Sequence, residues 1–489
     1  MYSLEDKELL IIQAWKSVLN LEEIGLNDNF FDIGGDSLKA LTILEDLKQS
    51  GLQLPFAKLF SCQTVREAAQ FAEEISEDSR DLSKLMNLIS SINAKTMGAK
   101  YEESLKNYTE TLTVNNSSSR SYFSHYLITG GVGFLACHIA EQILINTNSR
   151  LTLLVRTNSK KTTEKRVQDH FDWYFPGKRY ISEYKSRINI VQGDITLPCF
   201  GLDEESYAGL CCDVDCVVHA AAIIKHYGEW ADFERANLRG TDNAIAFALD
   251  GRRKSFHHIS TIAVAFGEGQ DQVPFTEYNL TCGMRSQNPY IHSKILAENS
   301  VCKARNNGLD AKIYRMGFLV QGVENSIFPY GIAQENIFQA SVELQLLSSL
   351  LKIGKIPAVS KEVFEFSFVD MAAKAIFLLA HWQDDHFIYH LFNEKRLSLV
   401  RFAEMANKLK DGALCTLPIS EYERFLYDHY EELKDDIQKI LLLSMKEEGI
   451  NPGQFDHSHS NRTVLVLSRL GFFWPELAPR NMEHLLNFL

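Results

Sequence analysis

Long apolar runs are missing from this chain. No stretch approaches the ~18 uninterrupted apolar residues that cross a bilayer, so a membrane bundle is excluded. The opening MYSLEDKELL is acidic and lacks the basic-then-apolar layout of a secretory leader. Cysteine is scarce, nine residues in 489 with no framework spacing, which excludes a disulfide-stapled scaffold and reads as the reduced thiols of a cytoplasmic protein. Cys211, Cys212 and Cys216 cluster, but no second pair completes a zinc site; they read as a buried strand edge, and no metal is expected. Positive charge is in deficit, 50 Lys and Arg against 63 acids, for a net charge of −13. That balance disfavours bulk attraction to nucleic acid or to an anionic membrane and leaves room only for a local basic pocket. Internal repeats and extended low-complexity tracts are absent as well.

What is present is ordinary for a folded protein, 45% apolar and 23% charged residues, in a length that suits about three units at roughly 150 residues each. Residues 4 to 75 carry helical periodicity. Leu9, Leu10, Ile12, Ala14 and Trp15 make one apolar face, a second helix runs from Ser37 to about Gln49 and stops at Gly51, and Thr64 with Glu67 has the spacing of a capping box. These patterns predict a small all-α four-helix bundle over 1–78. A polar stretch follows, with an amphipathic segment around Leu82 to Ile92 and the run NNSSSRS, and reads as a linker over 79–122. From Tyr126 short apolar runs (YLITG, LTLLVR, INIVQGD, CVVHAAA, SFHHIS, AKIYRMGF) alternate with helical patterns. That alternation predicts a Rossmann-like doubly wound parallel sheet over 123–400. The pattern then turns helical and acidic, a helical cap over 401–489.

Three sites stand out. In FFDIGGDSLKAL, Ser37 opens a helix behind two glycines and Asp36. Serine suits a helix cap, and a phosphodiester on that serine would meet the free N–H groups and dipole of the helix start; both readings fit. In YLITGGVGFLA, Thr129, Gly130, Gly131, Val132, Gly133 and Phe134 lie between the sheet's first strand and first helix, where glycines let the backbone approach a pyrophosphate. The third fingerprint glycine is replaced by Ala136. The second strand ends in Arg156, which suits a ribose 2′-phosphate better than a 2′-hydroxyl and so favours NADPH. Lys165 and Arg166 follow closely, as a charge supplement or a solvated helix face, and Asp194 with Ile195 sits beyond the third strand, where the aspartate is either an adenine acceptor or a turn residue. The third site joins Thr261, at the end of a strand beside Ser260, to Tyr290 and Lys294, one helical turn apart in YIHSK. A phenol with an unperturbed pKa of about 10 needs tuning to trade protons at neutral pH, and a neighbouring ammonium is expected to lower it.

Two resemblances sharpen these readings. Residues 4 to 75 resemble a peptidyl carrier domain, FFDIGGDSL matching its attachment motif; this implies a 4′-phosphopantetheine arm on Ser37, with Leu38 on the surface read by the phosphopantetheinyl transferase and by partner domains. From about 125 to 400, TGGVGF, LLVR, GDIT, VVHAAA, ANLRGT, STIAV, YIHSK and YRMGFL resemble the extended short-chain dehydrogenase/reductase family. Within it the likeness is to the terminal thioester reductase domains of nonribosomal peptide synthetases. The resemblance implies Thr261, Tyr290 and Lys294 as the catalytic triad, His219, Ala220 and Ala221 along the cofactor cleft, Asn237 holding helix geometry, and Gly317, Phe318 and Leu319 bordering the nicotinamide. It also implies the activity, NADPH-dependent release of a carrier-bound thioester as aldehyde or alcohol, and the partners, upstream adenylation and condensation domains. The segment around His457 and His459 is similar to the cap of those reductases and is expected as an exposed loop rather than a metal site. An epimerase or dehydrogenase of the same family and a non-catalytic dinucleotide sensor are the rival readings; the three-residue constellation disfavours the sensor.

Overall fold

The computed structural model describes residues 2–35, 37–54, 62–74, 99–112, 114, 122–157, 161–224, 228–268, 274–325, 327–328, 342–358, 362–410, 412, 414–429, 432–433, 436 and 458–489. Helix α1 (Leu4–Leu19) starts at a reciprocal cap, the Ser3 hydroxyl accepting from the Asp6 N–H and the Asp6 carboxylate from the Ser3 N–H. Its buried stripe is Ile11, Ala14 and Trp15. Leu9, assigned to the apolar face by the sequence, is 57% exposed. It lies two residues before Ile11, roughly 200° around the helix, and so points away from the stripe that packs. Helix α2 (Ser37–Gln49) places Ala40, Ile43 and Leu47 in the same core, where the Trp15 and Phe30 rings lie 5.0 Å apart. Helix α3 (Val65–Phe71) begins at Thr64, and Thr64 and Glu67 cap each other as their spacing predicts.

The amphipathic segment 82–92 and the Asn/Ser run at 115–121 fall outside the described residues. Between them lies helix α4 (Ala99–Glu110), and it is docked rather than free. Tyr101 Oη is 2.7 Å from His459 Nε2, Tyr108 Oη donates to Glu277 Oε2 at 2.5 Å, and Arg469 donates to the Val114 carbonyl at 2.8 Å.

Seven strands form one parallel sheet: β1 (His125–Thr129), β2 (Arg150–Val155), β3 (Ile188–Gln192), β4 (Cys216–His219), β5 (Ser255–Thr261), β6 (Asp310–Met316) and β7 (Ile388–Leu391). Their order is β7-β6-β5-β4-β1-β2-β3, every neighbouring pair parallel. Both faces are covered, which is why β1 and β4 read as unbroken apolar runs. Alternate residues serve opposite cores: Tyr126 and Ile128 join helices α5 (Phe134–Asn146) and, later in the chain, 369–380, while Leu127 joins α6 (Gly240–Leu249) and α7 (Pro289–Asn306). The strand order reverses between β1 and β4, the switch point at which such sheets open a crevice for ligands.

A further core gathers Phe328, Leu344, Leu347, Ile356 and Phe368 with Phe402, Tyr422, Met482 and Leu485. The cap therefore draws on both sides of position 400. The helix Asn461–Arg469 packs Val466 and Leu467 into the sheet core instead. The cysteine cluster is not a strand edge: Cys211, buried, and Cys212, exposed, lie on the helix Glu204–Asp213, started by the Asp203 side chain, and Cys216 opens β4. Among the described residues no group of three metal-donor side chains forms, and no helix is long and apolar enough to cross a membrane.

Candidate active site

The front domain presents its site on a turn. Gly34 has φ +96°, a conformation that excludes an ordinary side chain, and a Cβ on Gly35 would come within 2.6 Å of the Phe30 ring and overlap its carbonyl. Both glycines of FFDIGGD are thus required for the chain to double back over Phe30 and deliver Ser37 as the first residue of α2. A helix start carries the positive end of a dipole, which favours an anion there.

In the sheet domain, β1 ends at Thr129 and the chain turns through Gly130 at φ +69°. A Cβ there would sit 2.9 Å from Ala221 Cα, and one on Gly131 2.8 Å from Leu153 Cβ. Gly133 donates to the Gly130 carbonyl at 2.7 Å and begins α5 without any side-chain cap or first-turn acid. Val132 and Phe134 pack on the sheet core beside it. The result is a bare helix N-terminus at the switch point, the cradle a pyrophosphate needs.

At the end of β2, Arg156 is exposed and its carbonyl accepts from the Arg166 guanidinium. Arg166 lies on the helix Thr163–Tyr174 and is held below its ordinary range by burial and by the charge of Arg156. The two guanidiniums are close enough for their charges to repel at the end of β2. Lys165, offered as a supplement, turns away to Asp169 at 2.8 Å. Asp194 spends one carboxylate oxygen on the Thr196 N–H, 2.9 Å, while Ile195 packs against Gly240.

Behind the crevice runs a hydrogen-bonded chain whose directions can be worked out. The Ala221 N–H donates to Thr129 Oγ1 at 3.1 Å, and the Thr241 hydroxyl donates to the Asn237 carbonyl at 2.6 Å. His219, 2.9 Å from Thr129 and 3.1 Å from Thr241, therefore takes the hydroxyl proton of Thr129 on Nδ1 and donates from Nε2. Asn237, on a π-helical turn (Glu234–Arg239), clamps Ile223 through both its backbone groups and donates to Ser293 Oγ at 2.9 Å; Ser293 donates to the Tyr290 carbonyl at 2.7 Å. His219 is thus buried behind Ala220 and Ala221, stacked on His258 and Phe256, and does not line the crevice as expected. Burial and the Lys294 charge push it down to about 3, so it stays neutral.

Thr261, Tyr290 and Lys294 do meet. Asn288 caps α7 through the Ile291 N–H with Pro289 at its first position, so Tyr290 lies in the first turn and Lys294 one turn later. The Tyr290 phenol is hydrogen-bonded by Thr261, and Lys294 Nζ donates to the Ile259 carbonyl at 2.7 Å, so all three converge on the end of β5. The phenol is not lowered as the sequence implied: burial pushes it up to about 12, against the pull of the Thr261 hydrogen bond. Burial draws Lys294 down to about 8, with Glu298 opposing. At the far side Gly317 donates to the Leu391 carbonyl, Phe318 N–H donates to Glu365 at 2.8 Å, and Leu319 pairs with Ser367; a Cβ on Gly317 would overlap Phe392 and the Glu365 carboxylate.

Sequence reasoning missed Ser293, Glu298 and Arg315. The signal was the helical stride, since Tyr290, Lys294 and Glu298 recur every four residues. Arg315, on β6, pairs with Glu298 at 2.8 Å with both side chains fully buried. His459 is half-buried and bonded to Tyr101, not in an exposed loop, and His457 lies outside the described residues.

Comparison with known proteins matches residues 128–376, just over half of the chain, to the family described as Male sterility protein, an NAD-binding domain family. The chain belongs to this family. The family's nicotinamide cofactor fits the crevice, whose glycines leave the space a Cβ would fill and whose helix start carries unpaired N–H groups. Residues 10–72 match the phosphopantetheine attachment site family, which assigns the front domain a covalent phosphopantetheine. Curated relatives include a linear gramicidin synthase of Brevibacillus parabrevis, 27% identical over 79% of this chain and 7% of its own length. Carboxylic acid reductase of Mycobacterium tuberculosis is 25% identical over 81% of this chain and 36% of its own. The chain thus spans from a fourteenth to about a third of these relatives. A thiolation-reductase di-domain from an archaeal nonribosomal peptide synthetase superposes with a TM-score of 0.76 at 23% identity, covering 99% of this chain and 96% of the other. The terminal reductase domain of the myxalamid pathway gives 0.61 at 20% identity, over 82% of this chain and 97% of that one. The carrier-plus-reductase fold is therefore shared end to end.

Proposed function

We propose that this chain reduces an acyl or peptidyl thioester held on a phosphopantetheine arm at Ser37 and releases it as an aldehyde, or on to an alcohol, with NADPH as reductant. The observation that carries this reading is the convergence of Thr261, Tyr290 and Lys294 behind the glycine turn, in a chain that also holds a phosphopantetheine attachment domain. A nicotinamide held in this crevice would supply the hydride that the thioester carbonyl takes up. Thr261, whose hydroxyl oxygen already accepts from the Ala263 N–H at 3.2 Å, has its proton to give toward Tyr290 or the carbonyl oxygen. Tyr290, accepting from Thr261, would give its own proton to the carbonyl oxygen. A phenol held near 12 stays protonated at neutral pH, so it is present as the acid and yields its proton only as charge develops on the carbonyl oxygen. Lys294 supplies a fixed positive charge below the phenol and orients the sugar of the cofactor.

Gly130, Gly131 and Gly133 would admit the pyrophosphate, Arg156 and Arg166 the 2′-phosphate that makes NADPH the preferred form, and Gly317 to Leu319 the edge of the nicotinamide. Tethering raises the local concentration of substrate, so affinity for a free thioester can be low. A phosphopantetheinyl transferase installs the arm, and upstream synthetase modules provide the acyl group. The reading is tested by adding NADPH and a soluble acyl thioester to the purified chain and identifying the product. Thioester-dependent NADPH oxidation with aldehyde or alcohol is expected. An epimerised thioester with no net NADPH consumption would replace the reading with the epimerase alternative.

A further inference from the structure

A second buried polar chain leaves the catalytic helix in the opposite direction and ends on α4, the helix between the carrier and the sheet domain. Its first link is Tyr108. The phenol accepts from the Arg462 N–H at 3.1 Å and so donates to Glu277 Oε2 at 2.5 Å. The other oxygen of that carboxylate takes both the N–H and the hydroxyl proton of Thr463, each at 2.7 Å. Thr463 Oγ1 then accepts from the His390 N–H at 3.0 Å. His390 donates from Nδ1 to the His459 carbonyl at 2.7 Å, which leaves Nε2 to accept from Arg315 at 3.1 Å. Arg315 grips Glu298 with two nitrogens, at 2.8 to 3.2 Å, and the Asn279 carbonyl at 2.9 Å. Glu298 accepts finally from Ser260, 2.6 Å, the residue beside Thr261.

Glu277, Glu298, Arg315, His390 and Thr463 are all at most 1% exposed. A buried carboxylate that loses a donor cannot turn to water, so it must draw a new partner or take up a proton. The partners within reach are the next links. Glu298 stands four residues after Lys294 and eight after Tyr290, so a displaced Arg315 acts on the same helix face that carries both.

We propose that Tyr108 is a positioning residue for the Tyr290–Lys294 pair, acting through Glu277, Thr463, His390, Arg315 and Glu298, so that the helix leading in from the carrier domain sets the register of the catalytic helix. This rests on the reductase reading for its meaning, though the physical coupling does not. The same segment also makes a docking contact that is not one of these links, Arg469 on the Val114 carbonyl.

The test uses the full 489-residue chain with Tyr108→Phe, which removes one oxygen, and Arg469→Gln, which loosens docking without touching the chain of links. Amide hydrogen exchange of peptides from Pro289–Asn306 is measured first. Tyr108→Phe is expected to speed exchange there roughly fivefold while Arg469→Gln leaves it within about twofold. NADPH oxidation with octanoyl-CoA as the soluble thioester is measured next. Here Tyr108→Phe should lower kcat roughly fivefold with the KM for NADPH unchanged, and its effect should shrink when Ser260→Ala has already removed the last link. Equal exchange in the two variants, or losses from Tyr108→Phe and Ser260→Ala that simply multiply, would overturn the proposal. If Tyr108→Phe does not fold, Glu277→Gln carries the same comparison. Exchange coupling in a chain that never oxidises NADPH would sink the reductase reading and leave the coupling standing.

Discussion

The two sites of this chain are built on opposite principles. The proposed carrier site is a single serine at a helix start, delivered by a glycine turn with open space beside Gly34. The reductase site is a set of desolvated polar groups, each paired: Thr261 with Tyr290, Lys294 with Ile259, His219 between two threonines. A residue that must be modified by another enzyme and then travel needs access. A residue that must hold a proton against a developing charge needs burial and fixed partners. The first kind of site tolerates changes around it; the second transmits them.

The largest contrast is at the two anchors. Ser37→Ala is expected to abolish phosphopantetheine attachment outright, read by intact-protein mass, while turnover of a soluble thioester survives. Tyr290→Phe is expected to do the reverse, with normal loading and a fall of about 10²–10⁴ in thioester-dependent NADPH oxidation at unchanged NADPH affinity. A Ser37→Ala chain equally dead toward soluble thioester would break the separation. Next in size is the cofactor contrast: Arg166→Ala should weaken NADPH binding roughly 10–100-fold and leave NADH nearly untouched, measured by nicotinamide fluorescence.

Stability should divide the same way. Trp15→Ala, at the centre of the front core, should destabilise that domain by about 3–5 kcal/mol, and Leu9→Ala, exposed on the same helix, by less than about 0.5 kcal/mol, by thermal unfolding. The sheet domain should be the acid-sensitive part. Burial holds His138 down at about 4 and His219 at about 3, and lowers His257, His258 and His390 as well. The unfolded chain takes up protons that these native groups refuse, so their stabilisation is complete above about pH 6.5 and is lost as pH falls below it. At pH 5.5 His138 and His219 each cost on the order of 1 kcal/mol of stability, so the sheet domain's Tm should drop between pH 7.5 and 5.5 while the front domain, which has no histidine, stays put.

How much of this was legible in the sequence follows from the range of the interactions involved. The capping box at Thr64 and Glu67, the strand series, the glycine turn and the Tyr–Lys stride are local patterns, and each appears where its spacing put it. Leu9 was misplaced because helical periodicity over a few residues does not say which stripe another helix covers. The tuning of Tyr290 was misread because adjacency on a helix does not reveal how deeply the fold buries the phenol. The chain from Tyr108 to Ser260 was invisible for a stronger reason: its links come from seven separate parts of the sequence, and only the fold brings them into line.

The central claim is the handover from Ser37 to the cleft of the same chain. It is tested most directly by loading the arm with an acyl group, adding NADPH deuterated at the transferable position, and following the Ser37 peptide and the released product by mass spectrometry in one time course. The account predicts that the acyl mass leaves the peptide only when NADPH is present and Tyr290 is intact, and that the aldehyde carbon carries the label. An acyl group that stays on Ser37, or departs as an unlabelled acid, would contradict it.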